Sequence, residues 1–142
     1  MAEEEDEWQK KQLEPLGMFD LANKWAEAVK VIGAGNAAGV VAAGAALNTF
    51  AQRPEVLGWI KGGGIFFFIG IFTFAGAFAL IHLSTFTYDE MLHSARRGKV
   101  DAAKNNSKIS TSAMIAANRL AIGSALAFFI GTLAGLVAFL KL

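Results

Sequence analysis

One short run of this chain has the letters of a dinucleotide site. Gly33, Gly35 and Ala38 stand in GxGxxA spacing, and Glu55 follows about twenty residues on, where an acidic group would meet a ribose hydroxyl. That chemistry needs a strand before the glycines, a helix after them and a parallel sheet around both. Here residues 25–30 follow a helical pattern, and the next element is an apolar run rich in phenylalanine. The nucleotide reading therefore lacks its scaffold. A second candidate set is His82, Tyr88 and His93. Two histidines can ligate a haem iron only from opposite sides of the metal, and on a single helix these two would share a face. Ser84, Thr85, Asp89 and Glu90 follow His82 in sequence without converging at one depth, as intramembrane hydrolysis would require. With no cysteine in the chain, disulfides, thiolate metal sites and cysteine nucleophiles are excluded. We expect no catalytic group, no cofactor and no metal, and we read His82 as a hydrogen-bonded histidine near a membrane interface.

The elements that would carry these residues are membrane spans. Three apolar stretches, about 31–51, 62–83 and 121–140, contain no acidic residue. Each meets the ~20 residues that a helix needs to cross a hydrocarbon core of about 30 Å. A soluble fold of 142 residues would alternate its core positions with polar ones instead. The expected fold class is an all-α integral membrane protein with three transmembrane helices. A further N-terminal amphipathic helix is expected at the interface. Residues 1–29 form an acidic and amphipathic segment, opening on Glu3, Glu4, Glu5, Asp6 and Glu7. It then presents Leu16, Phe19, Leu21, Trp25 and Val29 at helical spacing. Residues 30–142 form the transmembrane domain. The acidic start is unlike a cleavable signal, so the first span is expected to direct its own insertion. A net charge of +1 lacks the electrostatic footprint of a nucleic-acid binder.

Orientation follows from the basic residues. Of thirteen Lys and Arg, all but Arg53, Lys61 and Lys141 fall in the N-terminal segment or the second loop. The positive-inside rule then puts the N-terminus in the cytoplasm and the C-terminus outside. The first loop is short and contains Pro54, suited to the first turn of the next helix. The second loop, about 84–118, is cytoplasmic and the sizeable polar region of the chain. Residues 88–100 could prolong the second span as a helix that Gly98 weakens. Asn105-Asn106-Ser107 reads as a turn, and Ser110 or Thr111 as the cap of the third helix. Arg119 would snorkel to the surface. Arg96, Arg97, Lys99, Lys104 and Lys108 are candidates for contact with anionic headgroups, at about 1 kcal/mol each, unless they serve topology alone.

Within the spans the pattern concerns helix packing. Gly35 and Gly39, extended by Ala43, form one stripe of small residues, and Gly123, Ala127, Gly131 and Gly135 form another, four apart. Such stripes let helix backbones approach closely in a solvent that supplies no hydrophobic drive. One stripe is expected to pack inside the protomer and the other against a neighbour. In the second case Gly131→Leu or Gly135→Leu should reduce an oligomer. The phenylalanines of the second span could fill the grooves beside glycine or face lipid. Asn36 and Asn48 are read as interhelical hydrogen-bonding groups, worth about 0.6 kcal/mol each.

The run Asn36-Ala37-Ala38-Gly39-Val40-Val41-Ala42-Ala43-Gly44-Ala45, with Phe74-Ala75-Gly76-Ala77, Tyr88 and Phe128-Phe129-Ile130-Gly131, resembles a group of small bacterial inner-membrane proteins. Their first transmembrane helix is rich in Asn, Gly and Ala. The resemblance implies a bacterial inner-membrane setting and nothing chemical. Function is expected to lie in association, with the lipid bilayer and either further copies of the chain or a partner membrane protein, as an accessory or scaffold subunit. The alternative is a holin-like pore former. Asn36, Asn48 and Thr49 give its first span a faint polar edge, but no span has a continuous polar face.

Overall fold

The structure, a computed structural model, describes residues 16–142, with side chains described from residue 22 onward. It is all-helical: α1 spans Leu16–Thr49, α2 Pro54–Arg96 and α3 Val100–Leu140. All three are long and apolar enough to cross a membrane. The expected separate interfacial helix is not shown. Its first residues lie outside the described ones, and α1 runs unbroken from Leu16 through the first apolar stretch.

Two tight connections join the helices. After α1 the chain turns through residues 50–53, with the Arg53 N–H donating to the Phe50 carbonyl at 3.0 Å, and Pro54 opens α2. Proline suits that position because its missing N–H would have no acceptor there. The second connection is only Arg97, Gly98 and Lys99. Gly98 takes φ +68°, the left-handed conformation that only glycine adopts without strain. The Lys99 N–H then reaches back to the Ser94 carbonyl at 2.9 Å and the Gly98 N–H to Ala95 at 3.0 Å, a pair of bonds that closes helix C-termini.

Two sequence expectations for 84–118 are corrected here. Asn105-Asn106-Ser107 is helical, one to two turns into α3. Neither Ser110 nor Thr111 is a cap, since α3 begins at Val100. The region is a helical hairpin, not a loop.

At 43 and 41 residues, α2 and α3 are each about 60 Å long, twice the hydrocarbon core. They pack against each other along most of this length, and α1 covers them less extensively. Their seam repeats every seven residues. Gly63, Gly70, Ala77 and Ser84 are buried on α2, and Ser110, Ala117, Ser124 and Gly131 on α3. Opposite pairs meet in antiparallel order. A Cβ on Gly63 would be 3.1 Å from the Gly131 carbonyl oxygen, Ser124 bonds the Gly70 carbonyl, Ala77 and Ala117 share one core cluster, and Ser84 bonds Ser110. A seven-residue repeat drifts only ~20° per step around a straight helix, so a slight supercoil keeps every member on the seam. Every residue of the seam is small, which brings the two backbones close enough to gain dispersion contacts that bulky side chains would prevent.

Candidate functional site

Two polar residues of the spans, Asn36 and Ser124, meet at a point where all three helices come together. Asn36, on α1, is fully buried. Its Nδ2 donates to the Ile32 carbonyl at 3.1 Å, to the Ser124 carbonyl at 3.2 Å and to Ser124 Oγ at 3.1 Å. Ser124 Oγ in turn donates to the Gly70 carbonyl at 2.8 Å. The Asn36 Oδ1 accepts no hydrogen bond and faces the bare Cα of Gly70, where any Cβ would overlap the amide. One amide and one hydroxyl thus tie α1 to α3 and α3 to α2. Asn48, expected in the same role, is exposed near the end of α1.

Aromatic rings fill the spaces that the glycines leave. Phe67 lies against both Gly39 and Gly131, Phe74 against Gly33, and Phe128 against Gly35. Ala43 meets Gly64, and Ala127 is buried. Both stripes thus have members that turn toward this chain's own side chains. Their outer members differ. A Cβ on Gly123 would reach no closer than 3.9 Å to the Thr73 methyl, and one on Gly135 would meet nothing within 4 Å. Other phenylalanines of α2, Phe68 and Phe72, are exposed, so the Phe-rich run divides between groove-filling and outward-facing rings.

Further along the hairpin a second polar contact joins α2 to α3. Ser84 Oγ donates to the Ser110 carbonyl and Ser110 Oγ to the Ser84 carbonyl, both at 2.9 Å. Each hydroxyl has abandoned its own helix to satisfy a carbonyl of the other. Replacing both serines by alanine should cost the hairpin about 1–2 kcal/mol, from two buried bonds of ~0.5–1.5 kcal/mol each offset by better helix propensity. The replacements should be tested singly and together by unfolding in mixed micelles.

Toward the hairpin the ionisable groups occupy two levels. Lys30 Nζ stands 5.3 Å from the Phe78 ring centroid, and the His82 ring meets Phe78 edge-on at 4.5 Å. His82 is exposed, and its place is beside an aromatic ring. Arg119 follows Ala117, the partner of Ala77, by two residues, so it lies level with the stretch of α2 just before Phe78. The second level is the hairpin tip: Arg96 ends α2, Arg97 and Lys99 form the turn, and Lys104 and Lys108 lie in the first turns of α3. Asp89 and His93 approach to 3.5 Å on the exposed side of α2. Among the described residues no group of three or more His, Asp or Glu could hold a metal ion.

The seven-residue seam is the functional feature that sequence reading missed. Its signal was present, as Gly63, Gly70, Ala77 and Ser84 in one polar-to-apolar series and Ser110, Ala117, Ser124 and Gly131 in another. It shows only when spacing is followed across the boundary of the apolar stretches. No family model, curated protein or solved structure matches the chain.

Proposed function

We propose that this chain is an accessory or scaffold subunit of a bacterial inner membrane: a rigid three-helix anchor that presents a helical hairpin to the cytoplasm. The carrying observation is that the α2–α3 seam continues in one register past the level of Lys30 and Arg119 to Ser84 and Ser110, beyond which the hairpin closes at Arg96, Arg97 and Lys99. The stretch of α2 from Trp59 to Phe78 is about 28 Å long, close to the ~30 Å of a hydrocarbon core. Trp59 would mark one interface. Lys30 and Arg119 would mark the other, with their long side chains reaching the headgroups. The N-terminus is then cytoplasmic and the C-terminus external.

In that placement the hairpin tip projects about 25 Å into the cytoplasm. This exceeds the ~8 Å screening length at physiological salt several-fold. The cations at the tip are thus too far from lipid to be held by it, and headgroup contact passes to Lys30 and Arg119. A cationic tip on a stiff, paired stalk suits an acidic surface on a partner protein, where steering by charge speeds encounter.

The test is purification of the whole chain in mild detergent beside the triple variant Arg96→Gln, Arg97→Gln, Lys99→Gln. The wild type should hold a stoichiometric foreign partner. The variant should lose it by about tenfold or more in affinity, equivalent to ~1.4 kcal/mol, with its helicity unchanged. A complex that is a multiple of the chain's own mass and indifferent to the variant would assign association to further copies. Collapse of the membrane potential on induction would favour a pore.

A further inference from the structure

The packing that closes the middle of the bundle leaves its Trp59 end open. There α1 offers Ala42, Ala43 and Ala46 to the glycines of α2 and α3, and the three helices enclose a cleft of about 390 Å³. We propose that this cleft holds one acyl chain of an anionic phospholipid, with the lipid phosphate at Arg53 and Lys141. The inference rests on the chain lying in a bilayer and not on the hairpin having a partner. Failure of the partner experiment would leave it standing.

The size and lining of the cleft select the occupant. Its volume falls in the ~300–1,000 Å³ range of ligand sites, yet it equals roughly one turn of a helix 10 Å across. A transmembrane helix of another copy or partner needs several such turns and does not fit, whereas a single hydrocarbon chain is slender and flexible. Water is a poor filler, because a buried water needs two to four polar partners. The Thr132 hydroxyl at the wall is already committed to the Phe128 carbonyl at 2.8 Å. Left empty, the walls would forfeit dispersion contacts on one side, while lipid chains stand at the opening.

The mouth supplies the headgroup chemistry. Trp59 lines the cleft and has the amphipathic ring found at membrane interfaces. The Lys141 Nζ stands 5.8 Å from its ring centroid. Arg53 Nη1 donates to a main-chain oxygen of Leu142, another lining residue, at 3.0 Å, so this bond uses one of its five N–H groups. Lys61, two residues beyond Trp59, falls on the other side of α2 and outside the cleft lining, and Glu55 lines the neighbouring groove. Two cations, Arg53 and Lys141, are thus held against the lining residues Leu142 and Trp59, which complements a phosphate.

Trp59 is also the reporter. With Trp8→Phe and Trp25→Phe in the full-length chain, its fluorescence in vesicles of zwitterionic phosphatidylcholine should be quenched by a few mole per cent of brominated phosphatidylglycerol. That quenching should saturate. Brominated phosphatidylcholine should quench only in proportion to its mole fraction, by contact with bulk lipid. Gly135→Leu places a side chain in the cleft at a position with nothing within 4 Å of its Cβ and should abolish the saturable component. Gly44→Leu, equally unobstructed but outside the cleft, should retain it. Lys141→Gln should lower the preference for the anionic lipid about fivefold, the effect of one cation near a surface phosphate. Equal, unsaturable quenching by both lipids would overturn the proposal, as would a saturable component that survives Gly135→Leu.

Discussion

Replacing Gly70 with alanine should cost about 3 kcal/mol of packing free energy, and most of this should return when Asn36 is also replaced by alanine. The Cβ at residue 70 would overlap the Asn36 amide. That group cannot move aside without loosening its bonds to Ser124 and Ile32. Overpacking contributes ~1–3 kcal/mol, and each interhelical hydrogen bond lost within a membrane adds about 0.6 kcal/mol. With Asn36→Ala the amide is gone and the Cβ has room, so Gly70→Ala should then cost less than about 1 kcal/mol. The interaction term of this cycle, about 2 kcal/mol, lies within the range for residues in direct contact. Reversible unfolding in mixed micelles measures all four corners. Additivity of the two single effects would mean that α1 and α2 do not meet at this point.

Two glycines one helical turn apart should respond in opposite ways. Gly131→Leu should destabilise the protomer by about 2–3 kcal/mol, because a Cβ there would come 2.8 Å from the Phe67 ring, which is itself backed by Gly39. Gly135→Leu should be nearly neutral, since its Cβ would meet nothing within 4 Å, and leucine is the better helix former by roughly 0.8 kcal/mol. Micelle unfolding reads the difference directly. If the four-residue stripe served association between copies, both substitutions would lower the mass of a complex and leave the single chain equally stable. A matched response of that kind would remove Phe67 as the reason for Gly131.

These two positions also show what could be read from the letters. The spans were legible because hydropathy over about twenty residues needs no partner to interpret. The closeness of glycine to its neighbours was legible too, but the stripe was not. Residues four apart advance ~40° around a helix of 3.6 residues per turn, so Gly123 and Gly135 drift away from the face that holds Ala127 and Gly131. The seven-residue series drifts half as far and is the real seam. It was hidden because two of its members on the polar side, Ser84 and Ser110, look like residues of a loop. Asn105-Asn106-Ser107 misled for a related reason. Their side chains favour turns when the backbone needs a partner, whereas in α3 the helix pair already satisfies it. Pro54 was legible as the first turn of α2, whereas Gly98, read only as weakening a helix, is the left-handed turn itself. Asn36 stands out in the sequence as a polar residue within a span, while Ser124, which it bonds, and the Gly70 carbonyl that Ser124 bonds carry no mark there.

The Asn36 knot has a consequence for biosynthesis. Its two sides are separated by 88 residues, and α1 leaves the ribosome long before α3 exists. At about 5–20 residues per second, the Asn36 amide waits on the order of ten seconds for Ser124. During that interval it must stay beside the insertion machinery or face lipid with only the Ile32 carbonyl in its own helix as a partner. Early release of α1 into the bilayer is therefore disfavoured. Capture of α1 by α2 and α3 is then the expected last step of assembly.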